Sequence, residues 1–135
     1  MNSTTFNNVA TLVGRAMLAA IFIIAGLSKI GAYAGTQAYM ESAGIPGLLL
    51  PAVIGLEVLG GIAILVGFQT RIAAALLAGF TLLAAIVFHT DFSQQMQSIL
   101  FMKNIAISGA FLLLLSQGPG QWAINPQQKP QGVQS

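Results

Sequence analysis

The sequence predicts an all-α fold: a four-helix transmembrane bundle with short connectors and an interfacial amphipathic segment between the first two spanning helices. Only 8 of 135 residues are Asp, Glu, Lys or Arg, 6% against about 25% in an ordinary soluble domain. Apolar residues make up 56% of the chain, and mean hydropathy is +0.81. The charges (Arg15, Lys29, Glu41, Glu57, Arg71, Asp91, Lys103 and Lys129) leave 19 uncharged residues between Arg71 and Asp91, and two other long apolar runs carry one charge each. Eight charges cannot cover the surface of a soluble fold of this size. The composition therefore excludes a soluble enzyme and a chain that is a disordered tail throughout. Five cations spread along the chain form no patch, so nucleic acid is excluded as a partner as well.

The first helix is expected over residues 9–29. The segment before it is polar and uncharged, and no Ala-x-Ala-like cleavage site follows the apolar stretch, so a retained helix is expected rather than a cleaved signal. Residues 31–47 form a connector. In it Thr36 is expected to cap a short amphipathic helix, with Tyr39, Met40 and Ala43 on one face and Gln37 and Glu41 on the other. Gly44 suits the C-cap and Pro46 the stop. The second spanning helix is expected over 48–68, with Pro51 in its first turns, where a missing N–H costs little. The third is expected over 71–89. Its Ala74/Ala78 and Ala75/Gly79 pairs would let a neighbouring helix approach closely.

The fourth apolar core, 105–116, is too short to cross about 30 Å of hydrocarbon at 1.5 Å per residue. Extension back to Ser93, a good N-cap, gives a helix over 93–117, with Lys103 and Asn104 inside it or at the membrane edge. Gly118-Pro119-Gly120 ends that helix, and Trp122 suits an interfacial aromatic belt. One membrane domain over 1–125 and a disordered polar tail over 126–135 follow. Three cations against two favour cytoplasmic N- and C-termini.

The absence of cysteine removes disulfides, Cys-ligated clusters and thiol relays, and a single histidine builds no two-His metal or haem site. No metal site is expected. Charges inside spanning helices are costly and mark candidate function. Glu57 lies mid-run, where a carboxylate needs a cation. Arg15 and Lys29 stand on nearly one face of the first helix, Lys103 and Asn104 on the fourth, and His89 ends the third. An intramembrane polar cluster of Arg15, Lys29, Glu57, His89, Lys103 and Asn104 is the expected ligand site. Three blander readings compete with it: a structural ion pair of Glu57 with Lys29 or Lys103, an interfacial His89, and Arg15 as a headgroup anchor.

Several short motifs then align with a known family. Gly14-Arg15 with Ile21-Phe22-Ile23-Ile24-Ala25-Gly26-Leu27-Ser28-Lys29 resembles the first-helix motif of the DoxX family of small bacterial inner-membrane proteins. Glu57-Val58-Leu59-Gly60-Gly61 and Gly67-Phe68-Gln69-Thr70-Arg71 resemble its second helix and turn, Phe88-His89 its third-helix end, and Phe101-Met102-Lys103-Asn104 its last segment. The Tyr33-Ala34-Gly35-Thr36-Gln37 and Tyr39-Met40-Glu41 stretches bring the resemblance closest to YqjF-type members. The resemblance implies a multi-pass inner-membrane protein. Some relatives are subunits of thiosulfate:quinone oxidoreductase or sit in membrane-associated oxidoreductase complexes.

The expected function is thus a membrane subunit associated with an oxidoreductase system, binding a quinone or other small amphipathic molecule in the polar pocket. No cofactor motif is recognisable, so quinone is the cofactor considered. Expected partners are the lipid bilayer, a membrane or soluble oxidoreductase, and a second copy in a homo-oligomer. The alternative is a non-enzymatic membrane scaffold or lipid-binding module, with solute transport ranked below both.

Overall fold

The computed structural model describes residues 2–126. It contains α1 (Ser3–Gly31), α2 (Tyr33–Ser42), a 3-10 turn (Gly47–Leu49), α3 (Leu50–Val66), α4 (Thr70–Phe88) and α5 (Gln95–Gln117). No strand occurs among the described residues. Four segments, α1, Gly47–Val66, α4 and α5, are long and apolar enough to cross a bilayer. Leu83 and Leu113 on the outside of the bundle are 63% and 64% exposed. Such surfaces belong against lipid, where the backbone bonds of each helix are already satisfied internally.

Several boundaries differ from the sequence expectation, each for a local reason. α1 begins at Ser3, ahead of residue 9, because Asn2 Oδ1 accepts the Thr5 N–H at 2.8 Å and caps the polar first turns. Thr36 does not cap α2. It lies inside that helix and its hydroxyl donates to the Ala32 carbonyl at 2.8 Å. Ser93 does not cap α5, which starts at Gln95. Its hydroxyl donates instead to Asp91 Oδ1 in the turn before the helix. α3 stops at Val66 because Gly67 takes φ 75°, and the N–H groups of Gly67 and Phe68 both close on the Ala63 carbonyl. The tail expected over 126–135 lies, beyond residue 126, outside the described residues.

The bundle is built from two extensively packed helix pairs, α1 with α3 and α4 with α5, joined by a smaller α3–α4 contact. Glycines set the first pair. A Cβ on Gly26 would stand 2.6 Å from Val58 Cγ2, and one on Gly61 2.7 Å from Ile23 Cγ1 and 3.2 Å from the Ala19 carbonyl oxygen. In the second pair Ala74 and Ala78 are buried, and the Ser108 hydroxyl donates to the Ala78 carbonyl at 3.1 Å. Of the two small-residue pairs on α4, Ala74/Ala78 faces a helix. Ala75 and Gly79 are exposed, because the α4 face that turns to α5 carries 74 and 78. Ala19, Phe22, Ile64, Leu77 and Phe111 form the centre of the core. Phe22 and Phe111 meet edge to face with ring centroids 5.4 Å apart, bringing α1 and α5 together at this level.

Candidate functional site

The polar residues of the spanning helices divide into separate groups. Lys29 Nζ lies 2.8 Å from Glu57 Oε1, an ion pair between α1 and α3 whose side chains are 28% and 5% exposed. Burial of Glu57 follows from the close approach at Gly26, where an added Cβ would stand 3.2 Å from Glu57 Cβ. Of the cations in the expected cluster, only Lys29 pairs with this carboxylate.

Arg15 stands 14 residues before Lys29 on α1, about 21 Å away at 1.5 Å per residue. It is 2% exposed, the most buried charged side chain of the described residues. Its Nη2 donates to the Trp122 carbonyl. Nε and Nη1 have no hydrogen-bond partner. Gly67 is what leaves room here: a side chain there would collide with Arg15 Nη1 and Ala123. Residues 121–125 form a strap over this end of the bundle. Ile124 N–H donates to the Val66 carbonyl at 3.0 Å, Asn125 N–H to the Gly67 carbonyl at 2.9 Å, and Asn125 Oδ1 accepts from Gln69 N–H at 2.9 Å. The last contact holds Gln69 in its left-handed conformation at φ 46°. The guanidinium of Arg15 is thus enclosed rather than open on the surface of the bundle.

At the opposite end, His89 Nδ1 and Gln97 Oε1 are 3.2 Å apart across the α4–α5 turn. Asn104 Nδ2 donates to the Thr81 carbonyl at 3.4 Å. Lys103 is exposed and makes no ion pair among the described residues. The structure thus does not gather His89 and Lys103 around Glu57. The α5 face that meets α4 carries Asn104 and Ser108, which turns Lys103 away from that seam.

Lys103 and Arg15 instead share a groove that sequence reasoning missed. It runs between α1 and α5 with a volume of about 650 Å³. Gly14, Leu18 and Ile21 form one wall and Ala106, Ala110 and Leu114 the other, with Lys103 and Arg15 both among the lining residues. Thr11, Gln117, Gly118 and Gly120 line the end near Arg15. The groove exists because α1 and α5 do not pack along their length as the other neighbours do. The small residues at 14, 106 and 110 are the sequence trace of it, but small residues on a helix signal close packing as readily as a gap. Among the described residues no group of three His, Asp or Glu side chains is placed to hold a metal ion.

Four spanning helices with a laterally placed, mostly apolar groove define a small multi-pass membrane protein with room for an amphipathic molecule. The DoxX family model matches residues 10–90. Inner membrane protein YqjF of Escherichia coli (strain K12) is 53% identical over 118 residues, 87% of this chain and 91% of that protein. Inner membrane protein YphA of the same organism is 40% identical over 119 residues, 83% and 85% of the two chains. A more distant relative in Bacillus subtilis (strain 168), named "Putative oxidoreductase CatD", is 34% identical over 79 residues, 58% of each chain. The chain belongs to the DoxX family and is a multi-pass inner-membrane protein. No solved structure matches it.

Proposed function

We propose that the chain is a membrane subunit associated with an oxidoreductase system and that it holds a quinone, or another small amphipathic molecule, in the groove between α1 and α5. The observation that carries this reading is the groove itself, apolar along its walls with an uncommitted ammonium, Lys103, at one end. Pockets of 300–1,000 Å³ with a few placed polar groups are the usual form of small-molecule sites. An ammonium beside apolar walls suits a flat ring whose edge carries carbonyl acceptors. The oxidoreductase name of the distant relative CatD supports the same reading. A quinone would supply the redox chemistry, while the chain's own residues bind and orient it. Glu57, committed to Lys29 and absent from the groove lining, is assigned to holding α1 on α3.

The test is direct, because Trp122 is the only tryptophan and its carbonyl meets Arg15, a groove-lining residue. Decylubiquinone titrated into the purified chain in nanodiscs should quench Trp122 fluorescence saturably. Lys103→Ala should weaken that binding about tenfold, the loss of a charge-assisted contact. Linear, non-saturating quenching that is identical in Lys103→Ala would mean simple partition into lipid and would overturn the assignment.

A further inference from the structure

Arg15 is a buried guanidinium with no carboxylate to meet it. The chain contains three Asp and Glu residues in all. Glu57 is paired with Lys29. Asp91 sits in the α4–α5 turn, where it accepts from Ser93. Glu41 lies on α2 beside Gly47. Both Glu41 and Asp91 are at the end of the bundle opposite Arg15. The end that holds Arg15 also carries Arg71, exposed in the first turn of α4, and among the described residues it has no acid. Arginine does not give up its proton in proteins. A buried charge left uncompensated is strongly unfavourable, and one backbone carbonyl is a partial answer, since Nε and Nη1 remain without acceptors. Among the described residues nothing supplies the counter-charge.

The groove says where it comes from. Arg15 lines one end of the groove, together with Thr11 and Gln117. The groove carries two cations and no acid, and its remaining walls are apolar. We propose that Arg15 is the receptor for the phosphate of an anionic phospholipid, with an acyl chain of that lipid lying along the α1–α5 groove. The depth agrees: Arg15 is level with Gly67, in the turn between two spanning helices, which is where headgroups begin. Guanidinium and phosphate pair through parallel N–H bonds, and Nε with one Nη is the natural fork for it. Nε and Nη1 are buried, with Nη1 and Ala123 both beside Gly67 and Nη2 held by the Trp122 carbonyl, so seating the phosphate requires the strap to shift. Anionic lipid binding is therefore coupled to the 121–125 segment. The phosphate site is at the end of the groove opposite Lys103 and needs no quinone, although the acyl chain and a quinone would compete for the same apolar walls.

The experiment uses the full chain, delipidated in detergent, with native mass spectrometry and thermal unfolding as readouts. Three additions are compared: phosphatidylglycerol, diacylglycerol with the same acyl chains, and inorganic phosphate. Phosphatidylglycerol should bind one per chain, raise Tm and shift Trp122 emission, while the other two leave all three unchanged. Arg15→Gln should weaken phosphatidylglycerol binding about tenfold, Arg15→Lys should fall between, and Arg71→Gln should match the parent. An equal shift from diacylglycerol would reduce the groove to an apolar filling site and overturn the proposal. A full shift from inorganic phosphate alone would overturn the lipid assignment, as would Arg15→Gln retaining the lipid or Arg71→Gln losing it equally. Should Arg15→Gln fail to fold, the three additions to the parent chain still decide. The measurement contains no quinone, so its outcome is separate from that of the fluorescence titration.

Discussion

α1 and α3 meet through glycines and an ion pair, whereas α4 and α5 meet through alanines and side chains that donate to helix carbonyls. Both pairs solve the same difficulty, since lipid is as apolar as the helix faces and gives no hydrophobic drive for association. The solutions differ in what failure would leave behind. Loss of Ser108 or Asn104 frees a backbone carbonyl that is already bonded within its own helix. Loss of Lys29 leaves a carboxylate 5% exposed with its charge unmet. The first pair is therefore brittle and the second tolerant, although both are closely packed.

The largest effect expected from this contrast is at the ion pair. Lys29→Ala should destabilise the bundle by about 3–5 kcal/mol, the usual cost of stranding a buried charge. Glu57→Ala should cost less, because Lys29 is 28% exposed and its long stem can carry the ammonium towards water. The double variant should be more stable than Lys29→Ala alone. Unfolding in mixed micelles measures all three, and a reversed order of the two single variants would break the assignment of Glu57 as the buried partner. Next comes Gly61→Ala, at about 1–3 kcal/mol for overpacking, since the new methyl meets the Ala19 carbonyl as well as a movable side chain. Gly79→Ala is its control. Nothing lies within 4 Å of that position, so stability should be unchanged or slightly higher. The smallest effects belong to the second pair. Ser108→Ala should cost about 0.6 kcal/mol, and Asn104→Ala, whose bond is 3.4 Å against 3.1 Å, less. A loss at Ser108 as large as that at Lys29 would erase the distinction between the pairs.

The spans were legible in the chain because charge spacing and hydropathy report on lipid contact directly. Helix ends were less so, since they turn on single competitions. Ser93 is a fitting cap by type, but Asp91 two residues earlier captures its hydroxyl. The pairing of Glu57 with Lys29 was within reach, because a carboxylate in mid-span must find a cation and few are present. The enclosure of Arg15 was not, since its acceptor is the carbonyl of Trp122, and any residue type carries a carbonyl. Nor was the α1–α5 groove. It arises between helices distant in the chain, from side chains that fail to fill a space, and no residue pattern encodes that uniquely.

The contact between Arg15 and Trp122 joins residues 107 positions apart. At about 5–20 residues per second, translation needs on the order of 5 to 20 s to make the second after the first. During that interval α1 enters the bilayer with a guanidinium whose protein acceptor does not yet exist. Insertion must proceed with Arg15 held at the water boundary, by solvent or headgroups, while α3, α4 and α5 follow it in. The strap follows α5 in the chain, so the contact that seats the first helix can close only after all four spanning helices have been made.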